Sequence, residues 1–196
     1  MQPDFEHIES LVKPGDFVFT RIDNILYKKV ADTSCSWSSH VGLIIDQNDD
    51  GSFVVAESKV PRSTYSSFRS FVERSEGGRL EVRRLKGGLK DDQLTKLQQE
   101  AESRMGLWYH FRFNYDSKKQ FCSKFAYDVY HKALGIEVGK IETFTELLHR
   151  NPQTPMGFWK LWFFGRIPMQ QRTVTPASQL ESTNLETVYS NLENFR

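Results

Sequence analysis

Residues 40–58 read HVGLIIDQNDDGSFVVAES, and the predicted fold is built on these residues. Two apolar, β-branched runs flank QNDDG, whose asparagine, aspartates and glycine suit a tight turn, so we predict an antiparallel hairpin. In such a hairpin the start of the first strand lies beside the end of the second, which brings His40 close to Glu57. A carboxylate among apolar residues needs a partner, and His40 is the expected one.

Neither residue is decisive alone. A single histidine at a strand end is more often structural than catalytic, and Glu57 could equally lie on the surface. Gly42, on the same strand face as His40, leaves room for a neighbouring helix, and we expect the helix that carries the nucleophile to dock there.

A second informative stretch is FCSKFAYDVYHKALG, residues 121–135. Cys122, Ala126, Val129 and Ala133 share one helical stripe that stops at Gly135, so Cys122 is expected in the first turn, facing inward. Free N–H groups and partial positive charge at a helix start favour a reactive thiolate. The alternative is a small buried hydrophobic residue. Cys35 lacks such a position, and both cysteines are interpreted as free thiols.

Length and composition exclude several classes of protein. With 196 residues and a formal net charge of +1, the chain fits one globular domain and shows no excess of basic residues suited to nucleic acid.

We find no metal-ligand spacing and no phosphate-binding loop, and therefore expect neither metal nor cofactor. The start of the sequence lacks a signal peptide and no apolar run reaches a membrane span, which predicts a cytoplasmic protein.

Other segments carry weaker patterns of secondary structure. We expect strands at 14–22 and 79–85, the second at a sheet edge, and helices near 24–32, 65–72, 91–104 and 142–149. Residues 1–178 are assigned to one domain. Residues 179–196 are polar and poor in core-forming side chains, and are predicted to be a loosely ordered tail.

Four of these motifs together resemble a known family. PGDFVF (14–19), SHVGLII (39–45), VAES (55–58) and FCSKFAYDVY (121–130) are similar to circularly permuted, NlpC-type papain-like cysteine hydrolases of the YiiX/YebB-like group. The similarity extends through GKIETFTELL, FWKLWFFG and TVTPAS. It implies an α+β fold, with an antiparallel sheet or half-barrel packed against helices and the nucleophile at a helix N-terminus. It also implies Cys122 as nucleophile, His40 as base and Glu57 as the residue that orients the base.

The resemblance also suggests residues that support the reaction. GLWY (106–109) is similar to the family's Gly-x-x-Tyr, whose tyrosine often lines the substrate pocket or supports the oxyanion. An oxyanion formed on the substrate needs donors besides the Cys122 N–H, and Tyr109 and Gln120 are the candidates. Packing of Tyr109 in an aromatic loop is the alternative.

The reaction predicted from these residues is cleavage of a peptide or isopeptide amide bond through an acyl-thioester on Cys122. The alternative is a lipid esterase or acyltransferase, because the aromatic stretch FWKLWFFG could contact a membrane through Phe158, Trp159, Trp162 and Phe163. Core packing of these side chains is a competing explanation. A binding module with an inactive triad is the non-enzymatic alternative.

Overall fold

The computed structural model describes residues 3–195 as an α+β fold built on a six-stranded antiparallel sheet. The sheet has the strand order β4-β3-β2-β1-β5-β8, and β6 and β7 form a separate two-stranded sheet. The strands are β1 (Phe17–Ile22), β2 (His40–Gln47), β3 (Phe53–Ser58), β4 (Ser63–Ser67), β5 (Ser75–Leu85), β6 (Ile141–Thr143), β7 (Arg172–Val174) and β8 (Leu185–Ser190). The helices are α1 (Phe5–Leu11), α2 (Ile25–Thr33), α3 (Phe68–Glu73), α4 (Asp91–Glu102), α5 (Cys122–Leu134), α6 (Phe144–Arg150), α7 (Met156–Trp162) and α8 (Pro176–Leu180), followed by a 3₁₀ turn at Leu192–Phe195.

The β2–β3 hairpin forms as predicted. Leu43 lies opposite Ala56, and a bulge follows Ile44 before the pairing resumes at Asp46. On its other side β2 pairs with β1, with Thr20 opposite His40. His40 therefore begins a central strand, with β1 fixing its backbone and β3 bringing Glu57 alongside.

The sheet buries both of its faces, which follows from side chains alternating along each strand. One face packs against α4 and α5; its buried residues include Phe17, Phe19, Val41, Leu43, Phe125 and Val129. The other face packs against α1 and α3; its buried residues include Val18, Ile44, Val55, Phe68, Phe71 and Leu80. Strands covered on both sides read as nearly continuous apolar runs, which explains the pattern of HVGLII.

Two elements differ from the sequence-based expectation. The segment predicted as helix at 65–72 begins as strand β4, because Ser63–Ser67 pairs along β3, and only then turns into α3. The strand predicted at 79–85 extends over Ser75–Leu85 and is internal, since β1 pairs on one side of it and β8 on the other. Pairing with distant parts of the chain decides both outcomes, and local periodicity does not contain that information.

The tail predicted at 179–196 contains regular structure instead. Leu185–Ser190 is edge strand β8, paired with β5, and Leu185 is buried in the core. Asn191 then accepts a hydrogen bond from Leu80 N at 2.9 Å and donates one to Gly78 O at 2.9 Å. An edge strand is held mainly by backbone hydrogen bonds, so it needs few apolar side chains, and composition therefore misidentified it.

Among residues 3–195 the model contains no helix of the length and apolar character needed to cross a membrane.

Candidate active site

Cys122 is the first residue of α5, as predicted. The preceding residue, Phe121, is extended, and the helix ends at Gly135 in the left-handed conformation (φ 70°) that glycine favours. Phe125, Ala126 and Val129 anchor α5 against the sheet. The Cys122 thiol is consequently held at a helix N-terminus and is buried, with only 4% of the residue exposed.

His40 and Glu57 form a buried pair. Nε2 of His40 lies 2.7 Å from Oε2 of Glu57, and both side chains are almost fully excluded from solvent. The hairpin register places the two residues at the same end of adjacent strands, which was the basis of the prediction. Because Nε2 is occupied by the carboxylate, Nδ1 is the ring nitrogen left for another partner.

Three further side chains compensate the Glu57 carboxylate. Ser66 Oγ and Arg74 Nη2 each donate to Oε1 at 2.6 Å, and Lys59 Nζ lies 3.3 Å from the same oxygen. Burial alone would raise the pKa of Glu57, but the hydrogen bond and charge of His40, together with Arg74 and Ser66, hold that pKa well below its usual range. Glu57 is therefore an ionised carboxylate at neutral pH.

The other ring nitrogen of His40, Nδ1, is the one available to Cys122. Nδ1 makes no well-formed hydrogen bond among the described residues, and the Cys122 thiol interacts with the imidazole. Burial opposes the charge of the ring, yet the neighbouring Cys122 thiol and the Glu57 carboxylate raise the pKa of His40 to about 9. The imidazole is thus held between a carboxylate and a thiol, the arrangement that activates a nucleophile.

Two aromatic rings fix the orientation of the imidazole. Phe71 of α3 stacks on it with ring centroids 5.3 Å apart, and Tyr27 of α2 meets it edge-on at 5.7 Å. The space beside Gly42 is filled by Phe71 and Val55, where an added Cβ would lie 2.8 Å and 2.6 Å from their nearest atoms. The expectation that the cysteine helix docks against Gly42 is therefore wrong. The missing side chain of Gly42 lets α3 pack closely there, and α5 packs on the opposite face of the sheet.

Tyr109 and Gln120 were the two predicted oxyanion donors, and they differ in their position relative to the cavity at Cys122. Both are buried and lie on neighbouring extended segments joined by a backbone bridge. The Tyr109 hydroxyl has no hydrogen-bond partner among the described residues, and Tyr109 lines the same cavity as Cys122. Burial, followed by the charges of Tyr27 and Cys122, raises the pKa of Tyr109, so it remains a neutral donor. Gln120 does not line this cavity.

A narrow cavity extends from Cys122 into the aromatic part of the core. Its walls contain no charged side chain; they include Tyr27, Val30, Tyr109, Phe113, Phe121, Phe144, Leu147, Trp159 and Val174, with hydroxyls from Thr33, Ser34, Ser39, Ser123, Thr173 and Thr175. The volume of the cavity that water can occupy is about 30 Å³, so the cavity suits a narrow substituent of a substrate. An apolar lining with a few polar groups is typical of a ligand site.

The aromatic stretch proposed for membrane contact divides into two sets. Trp159 and Phe163 are buried, and the Trp159 indole donates to Thr33 Oγ1 at 2.7 Å. Their inclusion among membrane-contacting residues was therefore wrong, because α7 turns them inward to the cavity wall and core. Phe158 and Trp162 are only partly covered.

Several supporting residues were not recognised in the sequence. Tyr27, Ser66 and Arg74 carry no motif, and each reaches the site from a different element, namely α2, β4 and the end of α3. The unmatched charge of a buried carboxylate was the one available signal, since it required a cation from somewhere in the fold.

The amino-acid sequence of this chain matches a known family. A family model described as permuted papain-like amidase enzyme, YaeF/YiiX, C92 family, matches residues 11–189. The chain belongs to this family. Its fold is accordingly the permuted papain-like fold, and membership supports a cysteine hydrolase of amide bonds in general terms. The match reaches through β8, well beyond the proposed boundary at residue 178.

Two relatives show the same similarity. The uncharacterized protein YiiX of Escherichia coli strain K12 is 28% identical over 174 residues, which cover 89% of this chain and 84% of the relative. A crystal structure described as that of metalloprotein YiiX from Escherichia coli O157:H7 superposes with a TM-score of 0.84 at 28% identity, covering 92% of this chain and 98% of that one. The fold and its length are thus shared with these permuted papain-like proteins.

That relative is described as a metalloprotein, which raises the question of whether this chain could hold a metal ion. Within residues 3–195, no three side chains of histidine, cysteine, aspartate or glutamate come together in a way that would hold a metal ion. Among the three candidate catalytic residues, Nε2 of His40 is already bound by Glu57. The described residues do not fit a metal centre.

Proposed function

We propose that this protein hydrolyses an amide bond through an acyl-thioester on Cys122. The observation that carries the proposal is the buried His40 imidazole. Its Nε2 lies 2.7 Å from Glu57 Oε2, its Nδ1 has no hydrogen-bond partner among the described residues, and Cys122 is a neighbour that affects its ionisation. Glu57 selects the ring orientation and stabilises the imidazolium. His40 accepts the thiol proton and holds it for the leaving group.

The reaction follows from these positions. The Cys122 thiolate attacks the amide carbonyl carbon and forms a C–S bond. As the C–N bond breaks, the leaving nitrogen takes the proton from His40. Water then attacks the thioester while His40 accepts one of its protons, the C–S bond breaks, and the proton returns to the sulfur. A carboxylic acid and an amine are the products.

The negative charge that develops on the carbonyl oxygen needs donors in both steps. The Cys122 backbone N–H, at a helix start where no intrahelical acceptor exists, is one donor. Tyr109 is our choice for the second, because the residue lines the same cavity as Cys122 and its hydroxyl has no hydrogen-bond partner among the described residues. Gln120 is the weaker choice, since it lies outside that cavity.

A lipid esterase or acyltransferase is the second candidate. It is favoured by the lining of the cavity, which has apolar and hydroxyl side chains and would accept the hydrocarbon part of an acyl group. The same lining also suits an apolar side chain of a peptide. Amide and ester substrates with the same acyl group therefore have to be compared directly.

Alkylation by iodoacetamide tests the activated thiol, and the chain supplies its own control. Cys35 is exposed and Cys122 is buried beside His40, so peptide mass spectrometry reports both rates in one sample. We expect His40→Ala to slow labelling of Cys122 near neutral pH and to leave that of Cys35 unchanged. Equal Cys122 rates in both proteins would contradict the proposal.

Turnover is tested with an amide and an ester that carry the same apolar acyl group. Cleavage of the amide, with an acyl adduct on the Cys122 peptide that Cys122→Ala lacks, is the expected result. Cleavage of the ester alone would replace the amide proposal with the lipid alternative. An unlabelled Cys122 with both substrates intact would favour a binding module.

A further inference from the structure

The end of α7 presents an apolar surface to solvent. Leu161 is 79% exposed and Phe164 is 91% exposed, and both border a groove next to Phe111. Trp162 and Phe158 complete the groove, their rings stacked with centroids 5.6 Å apart. We call these five residues the apolar tip. Adjacent exposed apolar side chains of this size mark an interaction surface more often than a chance feature.

The conformation of Phe164 supports a role outside the fold. The helix ends in a Schellman motif, in which Gly165 N donates to Lys160 O and Phe164 N donates to Leu161 O. Phe164 occupies the left-handed position of this motif, with φ of 52°, where glycine is usual. A bulky residue is strained there and, being exposed, gains little packing in return. The Phe164 side chain is therefore better explained by contact with another molecule than by the stability of this chain.

Cations surround the apolar tip. Lys160 and Arg166 flank Phe164 in sequence and Arg112 lines the groove; all three are exposed, and none has a carboxylate partner within 4.0 Å among the described residues. The guanidinium of Arg112 lies over the Phe163 ring at 5.2 Å. Residues 147–180 contain no aspartate or glutamate. The surface that the tip binds is consequently apolar at its centre and negatively charged around it.

The tip is coupled to the cavity by a rigid helix. One face of α7 carries Trp159, which lines the cavity that begins at Cys122, and the following residues form the tip. The Trp162 indole donates to Phe111 O at 3.0 Å, which fixes the tip to the loop after Tyr109. A partner bound at the tip would lie next to a wall of the cavity.

We propose that the apolar tip docks this protein on an anionic lipid membrane. Phe164 and Leu161 enter the boundary between headgroups and acyl chains, while Lys160, Arg166 and Arg112 contact lipid phosphates. A second copy of this chain fits less well, because a symmetric contact would place like charges opposite one another. The inference does not depend on the chemistry at Cys122.

Co-sedimentation with vesicles tests the proposal. The protein is mixed with vesicles of phosphatidylcholine alone or with phosphatidylglycerol added, and the bound fraction is measured. We expect binding to the anionic vesicles, weakened by about 0.5 M salt because exposed charges are then screened. We expect Lys160→Gln with Arg166→Gln to lower affinity by about fivefold for each charge.

Phe164→Gly separates docking from folding. Glycine suits the left-handed position, so this variant should melt no lower than the parent protein while its vesicle affinity falls by roughly tenfold. Ile25→Ser is the matched control, because Ile25 is also exposed, at 71%, but lies at the start of α2. Its binding should be unchanged.

Two outcomes would overturn the proposal. One is vesicle binding that is absent, or equal in Phe164→Gly and the parent. The other is a concentration-dependent dimer, seen by sedimentation, that Phe164→Gly abolishes in the absence of lipid binding. Cys122→Ala should bind vesicles like the parent protein, so a failed hydrolysis assay leaves this test intact.

Discussion

His40 and Glu57 are joined at 2.7 Å between Nε2 and Oε2, across two strands whose pairing was evident in the hairpin. The contact is buried, and its carboxylate is supported by Ser66, Lys59 and Arg74. An imidazole in this position is oriented by one neighbour and chemically coupled to another, Cys122. Each of these connections leads to a measurable expectation.

Glu57→Gln should lower the pKa of His40 below its value of about 9. The amide keeps the size of the side chain and removes the negative charge that favours the imidazolium. NMR titration of the imidazole signals of labelled histidine measures the change. Ser66→Ala removes one hydrogen bond to Glu57 and keeps the charge, so its effect on the His40 pKa should be smaller. An unchanged His40 pKa in Glu57→Gln would contradict the pairing.

The folded protein should lose stability as the pH rises through about 9. The pKa of His40 is raised in the folded state relative to about 6.5 in an unfolded chain, so its contribution is fully present below about pH 6.5 and disappears above about 9. Urea unfolding at several pH values measures this dependence. His40→Asn should flatten the curve in this window. A parent stability that stays constant from pH 6.5 to 9 would be inconsistent with the raised pKa.

Arg74→Met should reduce the free energy of unfolding by about 1–3 kcal/mol, because it removes a charged hydrogen-bond donor from a buried carboxylate. Arg74 Nη2 lies 2.6 Å from Glu57 Oε1, and its guanidinium also lies over the Phe71 ring. Urea denaturation provides the measurement. Arg69→Met is the control, since its pair with Glu9 lies at the surface and should matter less. Equal losses of unfolding free energy in Arg74→Met and Arg69→Met would contradict the larger contribution expected of Arg74.

Gly42→Ala should destabilise the protein by about 1–3 kcal/mol through overpacking. The added Cβ would meet Val55 and Phe71, and displacing Phe71 would disturb the ring that stacks on His40. Cys122 alkylation should therefore slow as well. Gly157→Ala is the matched control, because nothing lies within 4 Å of its added Cβ and alanine favours the helix. A tolerated Gly42→Ala with normal alkylation would argue against a close fit at this position.

Tyr109→Phe should slow acyl-enzyme formation by about a hundredfold if its hydroxyl stabilises the oxyanion. Rapid-quench mass spectrometry of the acylated Cys122 peptide measures the rate. Tyr65→Phe is the control, because Tyr65 is exposed and does not line the cavity. Gln120→Leu should have the smaller effect of the two candidate donors. The reverse order would transfer the donor role to Gln120.

Local sequence was enough to predict three features: the β2–β3 hairpin, the α5 helix (Cys122–Leu134) and the pairing of His40 with Glu57. Each depends on residues close along the chain, where turn chemistry, helical spacing and the need to pair a buried charge act locally. The permuted papain-like fold was implied by the resemblance of these motifs to a known family, and the family model confirms it.

The surroundings of that pair depend on long-range packing. The strand at Ser63–Ser67, the internal position of β5 and the strand at Leu185–Ser190 require backbone partners far away in sequence. Arg74, Ser66 and Tyr27 reach the site only when separate elements meet. The inward turn of Trp159 and the outward turn of Phe164 likewise depend on how α7 packs, because a uniformly aromatic stretch has no periodicity that separates its buried side from its exposed side.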